Sequence, residues 1–351
     1  MIDKSIVIKN IYYMLAYSFQ VLSQKNYERI KGEDFDYIEE LFAEILSIGT
    51  SQQLKQGLYK EYILREENLK VLRGKLILSE TIKNRSRNNR QELFCEHDDL
   101  SEDNIFNQIL KATIELLVEN NRVKRNKKNE LRKILFYFKD ISSIELSQVK
   151  WNTLTFQRNN RTYVMLMNIC YFVYHDMILS NEKGNKRVLS FSDERMERLY
   201  EKFIWEYYNK HHKEVRMGKL KVFWDLPEGR DESVIKFLPN MKSDVKLIYG
   251  DKTLIIDAKY YTKMMQENFG SFSIRNGHLY QIFSYVKNED KTDSGKVSGM
   301  LLYAKTIDEH IPYMDEVISG NRIAVRVLDL NQDFSEIRRQ LDAIVEEWEK
   351  S

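Results

Sequence analysis

The chain has little of what interrupts or cross-links a fold. Its 351 residues include three prolines, thirteen glycines and two cysteines. So little proline and glycine argues against long disordered linkers, and neither an internal repeat nor a low-complexity segment is visible. Cys95 and Cys170 make no C-x-x-C or zinc-finger spacing. With no signal-peptide pattern, they suit a reducing cytoplasm. No apolar run approaches the roughly 18 residues of a membrane span. A net charge of +2 announces no nucleic acid globally, so any basic surface must be local. No G-x-x-x-x-G-K-[ST] occurs, so no nucleotide motor is visible in the chain. What is present, 42% hydrophobic and 31% charged residues, is the composition of a soluble globular protein. Its length allows two domains, or one large domain with an appendage.

One stretch stands out, Met241 to Tyr261, MKSDVKLIYGDKTLIIDAKYY. Val245, Leu247 and Tyr249 alternate with Asp244, Lys246 and Ile248, and Thr253 to Ile256 is β-branched and apolar, which predicts a β-hairpin. Gly250-Asp251 fits a two-residue turn with glycine at its first central position. That turn sets Tyr249 opposite Lys252 and, by the same sum, Asp244 opposite Asp257. Lys259, two residues on, shares their face. Opposed like charges destabilise a ladder, and a hard cation such as Mg²⁺ between the carboxylates removes the conflict. A bound water then becomes a better nucleophile, and the lysine can orient it or meet charge developing on a phosphate. In outline this is a metal-dependent phosphodiesterase site. The competing reading is an exposed hairpin with solvated charges.

The rest of the chain supplies elements around that hairpin. Asn10 to Leu22 carries Ile11, Met14, Leu15, Ser18, Phe19 and Leu22 at helical spacing, and Asp34 to Ile48 is a second helix, continued by a third stretch through Leu54. Glu61 to Leu78 reads as short strands, and Lys83 to Arg90 as a basic loop, either simply exposed or binding phosphate or a partner. Ser101-Glu102-Asp103-Asn104 offers N-cap chemistry for the next helix. Arg122 to Lys133 holds seven basic residues and one acid, either a solvated face or a phosphate-contacting patch. Arg161 to Leu179 is a core helix and Asn181 to Lys186 a loop. Ser192-Asp193 can cap a helix running to about Tyr208, with Glu201 at the border of its apolar side. Strand signals lie around Leu220 to Trp224. Thr262 to Asn276 reads as a polar loop. Leu279 to Lys287 is a helix presenting Gln281 and Tyr285 at i and i+4. Met300 to Tyr303 and Ile323 to Leu328 are strands, and Asp333 with Glu336 opens a last helix in a capping-box pattern. A β-α-β unit across the Leu279 helix predicts a mixed sheet flanked by helices. The six histidines show no ligand spacing.

Asp244, Asp257-Ala258-Lys259 and the Gln281-x-x-x-Tyr285 helix together resemble the PD-(D/E)xK nuclease superfamily. Ser243 stands where that motif usually has proline, and Pro239 lies five residues before the aspartate. Asn10-Ile11-Tyr12-Tyr13-Met14-Leu15-Ala16-Tyr17, Leu238 to Asp244 and Asp257-Ala258-Lys259-Tyr260-Tyr261 resemble the McrC family, the nuclease subunits of methylation-dependent McrBC restriction systems, over nearly the full length. The resemblance implies an α/β fold, with an N-terminal α+β adaptor domain over 1–155 and a helical connector plus nuclease domain over 156–351, its core about 191–351. It implies Asp244 and Asp257 as metal ligands, Lys259 as the catalytic lysine, Glu201 as an additional acid, and Gln281 and Tyr285 as supporting or DNA-contacting residues. It also implies Mg²⁺ as cofactor, modified double-stranded DNA as substrate and a hexameric AAA+ GTPase of the McrB type as partner. Two other functions fit the same residues, a non-catalytic GTPase activator and DNA clamp, or a stand-alone repair nuclease.

Overall fold

A computed structural model of the chain describes residues 4–88, 92–156, 160–182, 193–226, 236–260, 265–268, 271–305 and 312–350. The chain forms two compact units, one of residues 1–41 with 175–351, the other of 42–174. This differs from the expected boundary at 155/156 at both ends. The physical reason lies in particular contacts. Helix α1 (Lys4–Ser18) belongs with the C-terminal half because the Asn10 side chain donates to the carbonyls of Leu330 and Gln332, each at 2.8 Å. Tyr13 also stacks on Phe334 with ring centres 4.2 Å apart. In the other unit, Tyr163 ties the start of its helix inward. Its hydroxyl donates to Asn107 Oδ1 at 2.7 Å and accepts the Tyr59 N–H at 2.9 Å.

The 42–174 unit holds most of α3 (Ile38–Gln56), after the short α2 (Glu28–Lys31). Strands β1 (Glu61–Leu69), β2 (Lys75–Leu76) and β3 (Leu93–Ser101) form an antiparallel sheet in the order β1-β3-β2. The start of the expected basic loop is instead helix α4 (Leu78–Asn88), while residues 89–91 lie outside the described residues. Asn104 caps α5 (Ile105–Glu119) as expected, accepting from the Asn107 N–H. Helix α6 (Arg125–Leu135) covers most of the second basic run, and α7 (Arg161–Glu182) follows. Asp34 to Ile48 and its continuation prove to be one helix, begun at Ile38.

In the other unit, α1 ends at Ser18, short of the expected Leu22, because Phe19 is extended and Gln20–Ser23 forms a 3₁₀ turn. After α8 (Asp193–His211) come β4 (Arg216–Met217), β5 (Lys221–Val222), β6 (Met241–Lys242), β7 (Val245–Tyr249) and β8 (Lys252–Lys259). A small hairpin, β9 (Met265–Asn268) with β10 (Ser271–Ile274), occupies part of the stretch expected as a loop. Residues 261–264 and 269–270, among them Phe269-Gly270, lie outside the described residues, as do Ser192 and most of 181–186. Then follow α9 (Asn276–Glu289), β11 (Val297–Lys305), β12 (Met314–Ile318), β13 (Asn321–Asp329) and α10 (Phe334–Lys350). The main sheet runs β12-β13-β11-β8-β7-β4. Parallel β8-β11 and β11-β13 pairs are bordered by antiparallel neighbours, so the sheet is mixed, as expected. The edge strand β12 was not foreseen.

Helix α9 packs its Ile282, Tyr285 and Val286 on Ile255, Leu301 and Ile323 of the sheet. Gly299 makes this close approach possible. A Cβ there would lie 2.7 Å from Val286 Cγ2 and 2.8 Å from Ile282 Cγ1.

Candidate active site

The site follows from the β7-β8 register. Tyr249 pairs with Lys252 and Val245 with Ile256, so Asp244 comes next, facing Asp257. Gly250 takes φ +59°, the conformation a tight hairpin turn asks of its first central residue. At the open end the Ala258 N–H donates to Asp244 Oδ2 at 2.8 Å, so the aspartate side chain continues the ladder beyond the last backbone pair. Ser243 stands in the usual proline position for a local reason. Its N–H (2.9 Å) and hydroxyl (3.1 Å) both donate to the Leu220 carbonyl, and proline has neither donor.

Burial makes this corner electrostatically tense. Asp257 is 1% exposed and Lys259 7%. The Lys259 ammonium lies 2.9 Å from Asp257 Oδ2 and 3.7 Å from Glu197 Oε1. The first contact is an ion pair rather than an aligned hydrogen bond, because Asp257 Oδ2 finds no partner of good hydrogen-bond geometry. Burial, then the Asp257 and Glu201 charges, push Asp244 up to about 8. Asp257 is raised too, chiefly by burial, although Lys259 and a hydrogen bond shared with Asp244 act the other way. Glu201 is raised by burial and by Glu197. Burial opposes the Lys259 charge, but Asp257, Asp244 and Glu197 hold it above its ordinary value. The acids therefore disfavour one another's charge, and the one lysine offsets this only in part.

That donor set fits a hard cation. It offers carboxylate oxygens only, it is frustrated by its own charge, and it has a buried oxygen without an aligned partner. Among the described residues no three His, Cys, Asp or Glu side chains enclose a metal by themselves. Two aspartates with water and phosphate completing the shell match the habit of Mg²⁺, which keeps several waters. Glu201 lies within electrostatic range of Asp257 and Lys259 without completing such a cluster.

The remaining expected residues come to the same corner. On α9, Gln281 Nε2 donates to the Tyr285 hydroxyl at 2.8 Å, and the charges of Asp257 and Asp244 act on that hydroxyl. Two neighbours stand outside the expected set, Glu197 and His278, the one histidine close to the site in sequence. Glu197 contacts Lys259 from α8, and its spacing of four residues from Glu201 was the available signal. His278 Nδ1 lies 2.8 Å from the hydroxyl of Tyr303, the β11 register partner of Lys259. Burial, with Lys259 and Arg275, lowers His278 to about 4.

The chain is 26% identical over 350 residues, 98% of its length and 99% of the relative's, to the type IV methyl-directed restriction enzyme EcoKMcrBC of Escherichia coli strain K12. Its fold resembles a chain in the half-complex of Thermococcus gammatolerans McrB AAA+ hexamers with bound McrC. The two share 17% identity and a TM-score of 0.54, over 96% of this chain and 76% of that one. A family model for the McrBC 5-methylcytosine restriction system component matches residues 4–304. The chain belongs to the family of McrBC 5-methylcytosine restriction system components.

Proposed function

We propose that the chain is the McrC-type nuclease subunit of a modification-dependent restriction system, hydrolysing DNA phosphodiester bonds in a PD-(D/E)xK site. The carrying observation is the facing pair of half-buried Asp244 and buried Asp257, both raised in pKa and joined by Lys259 on one sheet face. In this reading Asp244 and Asp257 hold Mg²⁺, which when bound supplies positive charge and acidifies a water. Lys259 stays protonated and presents its ammonium to the attacking water or to the phosphate oxygen that gains charge. Glu197 restrains that ammonium from the α8 side, and Glu201 adds negative charge beside it. Gln281 fixes the Tyr285 hydroxyl at the rim of the site. The partner is an McrB-like AAA+ GTPase, consistent with the hexamers bound by McrC in the solved relative. The substrate is modified duplex DNA, consistent with the methyl-directed relative. The 42–174 unit is the adaptor that engages the GTPase. It exposes the large apolar side chains of Tyr62, Leu64, Leu78 and Ile82.

The test is cleavage of methylated and unmethylated plasmid by the chain with Mg²⁺, with and without the partner GTPase and GTP. Cutting is expected only in the full mixture. Asp257→Ala should lower it by about a thousandfold, as loss of several kcal/mol of metal-borne stabilisation implies, while stimulation of GTP hydrolysis persists. Cutting by the chain alone would favour a stand-alone nuclease. Cutting that survives Asp257→Ala would remove the site assignment.

A further inference from the structure

Helix α6 is sharply divided. Its inner side buries Leu131 and Ile134, together with Lys127, whose ammonium meets the buried Glu44 carboxylate at 2.7 Å. Its outer side carries Arg125, Lys128, Arg132 and Lys133. Of these, three are exposed and Lys128 is half-exposed. Among the described residues none of the four has a carboxylate partner, and only Arg132 makes a side-chain hydrogen bond, to the Asn129 amide oxygen at 3.1 Å. Several cations elsewhere in the same unit are matched. Lys60 meets Glu102, Arg65 and Arg73 meet Asp99, Lys75 meets Glu96 and Lys83 meets Glu80, at 2.7–3.3 Å. A helix face that serves only solubility gains from acids interspersed at i±4; the one acid of this helix, the exposed Glu130, accepts from the Ser47 hydroxyl at 3.3 Å.

The helix then runs into a 3₁₀ turn, Phe136–Phe138, where Phe136 is 75% and Tyr137 65% exposed. The two rings stand edge to face with centres 6.1 Å apart. Adjacent exposed rings at the end of an unpaired cationic row suit one kind of ligand, a polyanion with flat apolar faces. From Arg125 to Lys133 the row is about 12 Å long at a helical rise of about 1.5 Å per residue. B-form DNA presents roughly seven phosphate charges over that length.

We infer that the outer face of α6, with Phe136 and Tyr137, is a second DNA-binding surface, separate from the nuclease site and blind to sequence, its cations on phosphates and its rings against sugar or unpaired bases. This rests on the reading of DNA as substrate. An acidic protein surface would use the cations equally well but gives the rings no comparable partner.

The test is binding of a fluorescent duplex to the full chain across a salt series. The parent is compared with a variant carrying Arg125→Gln, Lys128→Gln, Arg132→Gln and Lys133→Gln, and with Phe136→Ser/Tyr137→Ser. All the changes are at exposed or half-exposed positions, and a thermal melt checks folding. The neutralised variant should bind at least about tenfold more weakly near physiological salt, with the slope of log K against log salt reduced by about 3–4. The ring variant should lose affinity with the slope retained. Unchanged affinity and slope in the neutralised variant would overturn the inference. So would unchanged DNA affinity with lost stimulation of the GTPase, which would assign the face to the protein partner. Asp257→Ala, assayed for cleavage beside them, separates this result from the nuclease reading. If it still cuts while the α6 variant loses DNA affinity, the surface stands and the catalytic assignment falls.

Discussion

Two buried carboxylate sites in the same unit are treated in opposite ways. At the end of α9, Asp290 is 4% exposed and fully answered. Its oxygens accept from Asn321 Nδ2, the Ser294 N–H and hydroxyl, and the Gly295 N–H, at 2.7–2.9 Å. Burial works to raise its pKa, but these donors win and hold it at about 2. At the β7-β8 corner, Asp244 faces a second carboxylate, with one backbone donor and a shared lysine, and is pushed up to about 8. A satisfied buried acid staples a fold. An unsatisfied pair stores a demand for positive charge, and that demand marks a site. The outer face of α6 is the converse case, cations left unmatched at the surface.

The sharpest way to break this contrast is to neutralise one acid at each place. Asp244→Asn should cut DNA cleavage by at least about a hundredfold, because a ligand charge is lost. In chelator the same variant should be about 0.5–2 kcal/mol more stable than the parent, since sites kept for activity trade against stability. Equal or lower stability in a chelated denaturant titration would show that the pair is not frustrated. Asp290→Asn should do the reverse, leaving chemistry intact and costing about 1–3 kcal/mol, because charged hydrogen bonds are lost and buried donors are left without a carboxylate. The sign with pH follows from its lowered value. The Asp290 contribution is complete above the unfolded carboxylate range near 4 and disappears as pH falls through about 2. Parent and variant should therefore converge in stability at the acid end, and a constant gap there would remove the assignment. The smallest effect is expected for Tyr285→Phe. It removes one hydrogen bond at the rim, about 1 kcal/mol, so cleavage should fall only severalfold, read from single-turnover rates.

The parts of the site that were legible in the sequence are those fixed by local covalent geometry. A two-residue turn with glycine at its first central position allows one register, so the placement of Asp244, Asp257 and Lys259 on one face follows from the spacing. The contact between Gln281 and Tyr285 follows from helical periodicity in the same way. Glu197 was missed because an acid on a helix becomes a lysine partner only once that helix is laid against a particular strand. The α4 segment was expected as a loop because its charges hide a helix, and the β9-β10 hairpin because its polar strands carry no core signal. The edge strand β12 was missed for a similar reason, since its residues are mostly exposed or half-exposed and its identity comes from pairing with β13.

By itself, then, the sequence determined the alternation of apolar residues, the hairpin register, the composition of the donor set and the basic run, all properties of neighbours along the chain. The tertiary structure alone decided the state of those groups. Burial left Asp244 and Asp257 short of positive charge and gave Asp290 its four donors. The packing of α6 chose which of its lysines would be sealed against Glu44 and which would face water. Joining residue 10 to residues 330 and 332 placed the first helix with the C-terminal unit. These outcomes depend on desolvation and on contacts between residues far apart in sequence, which no local pattern encodes.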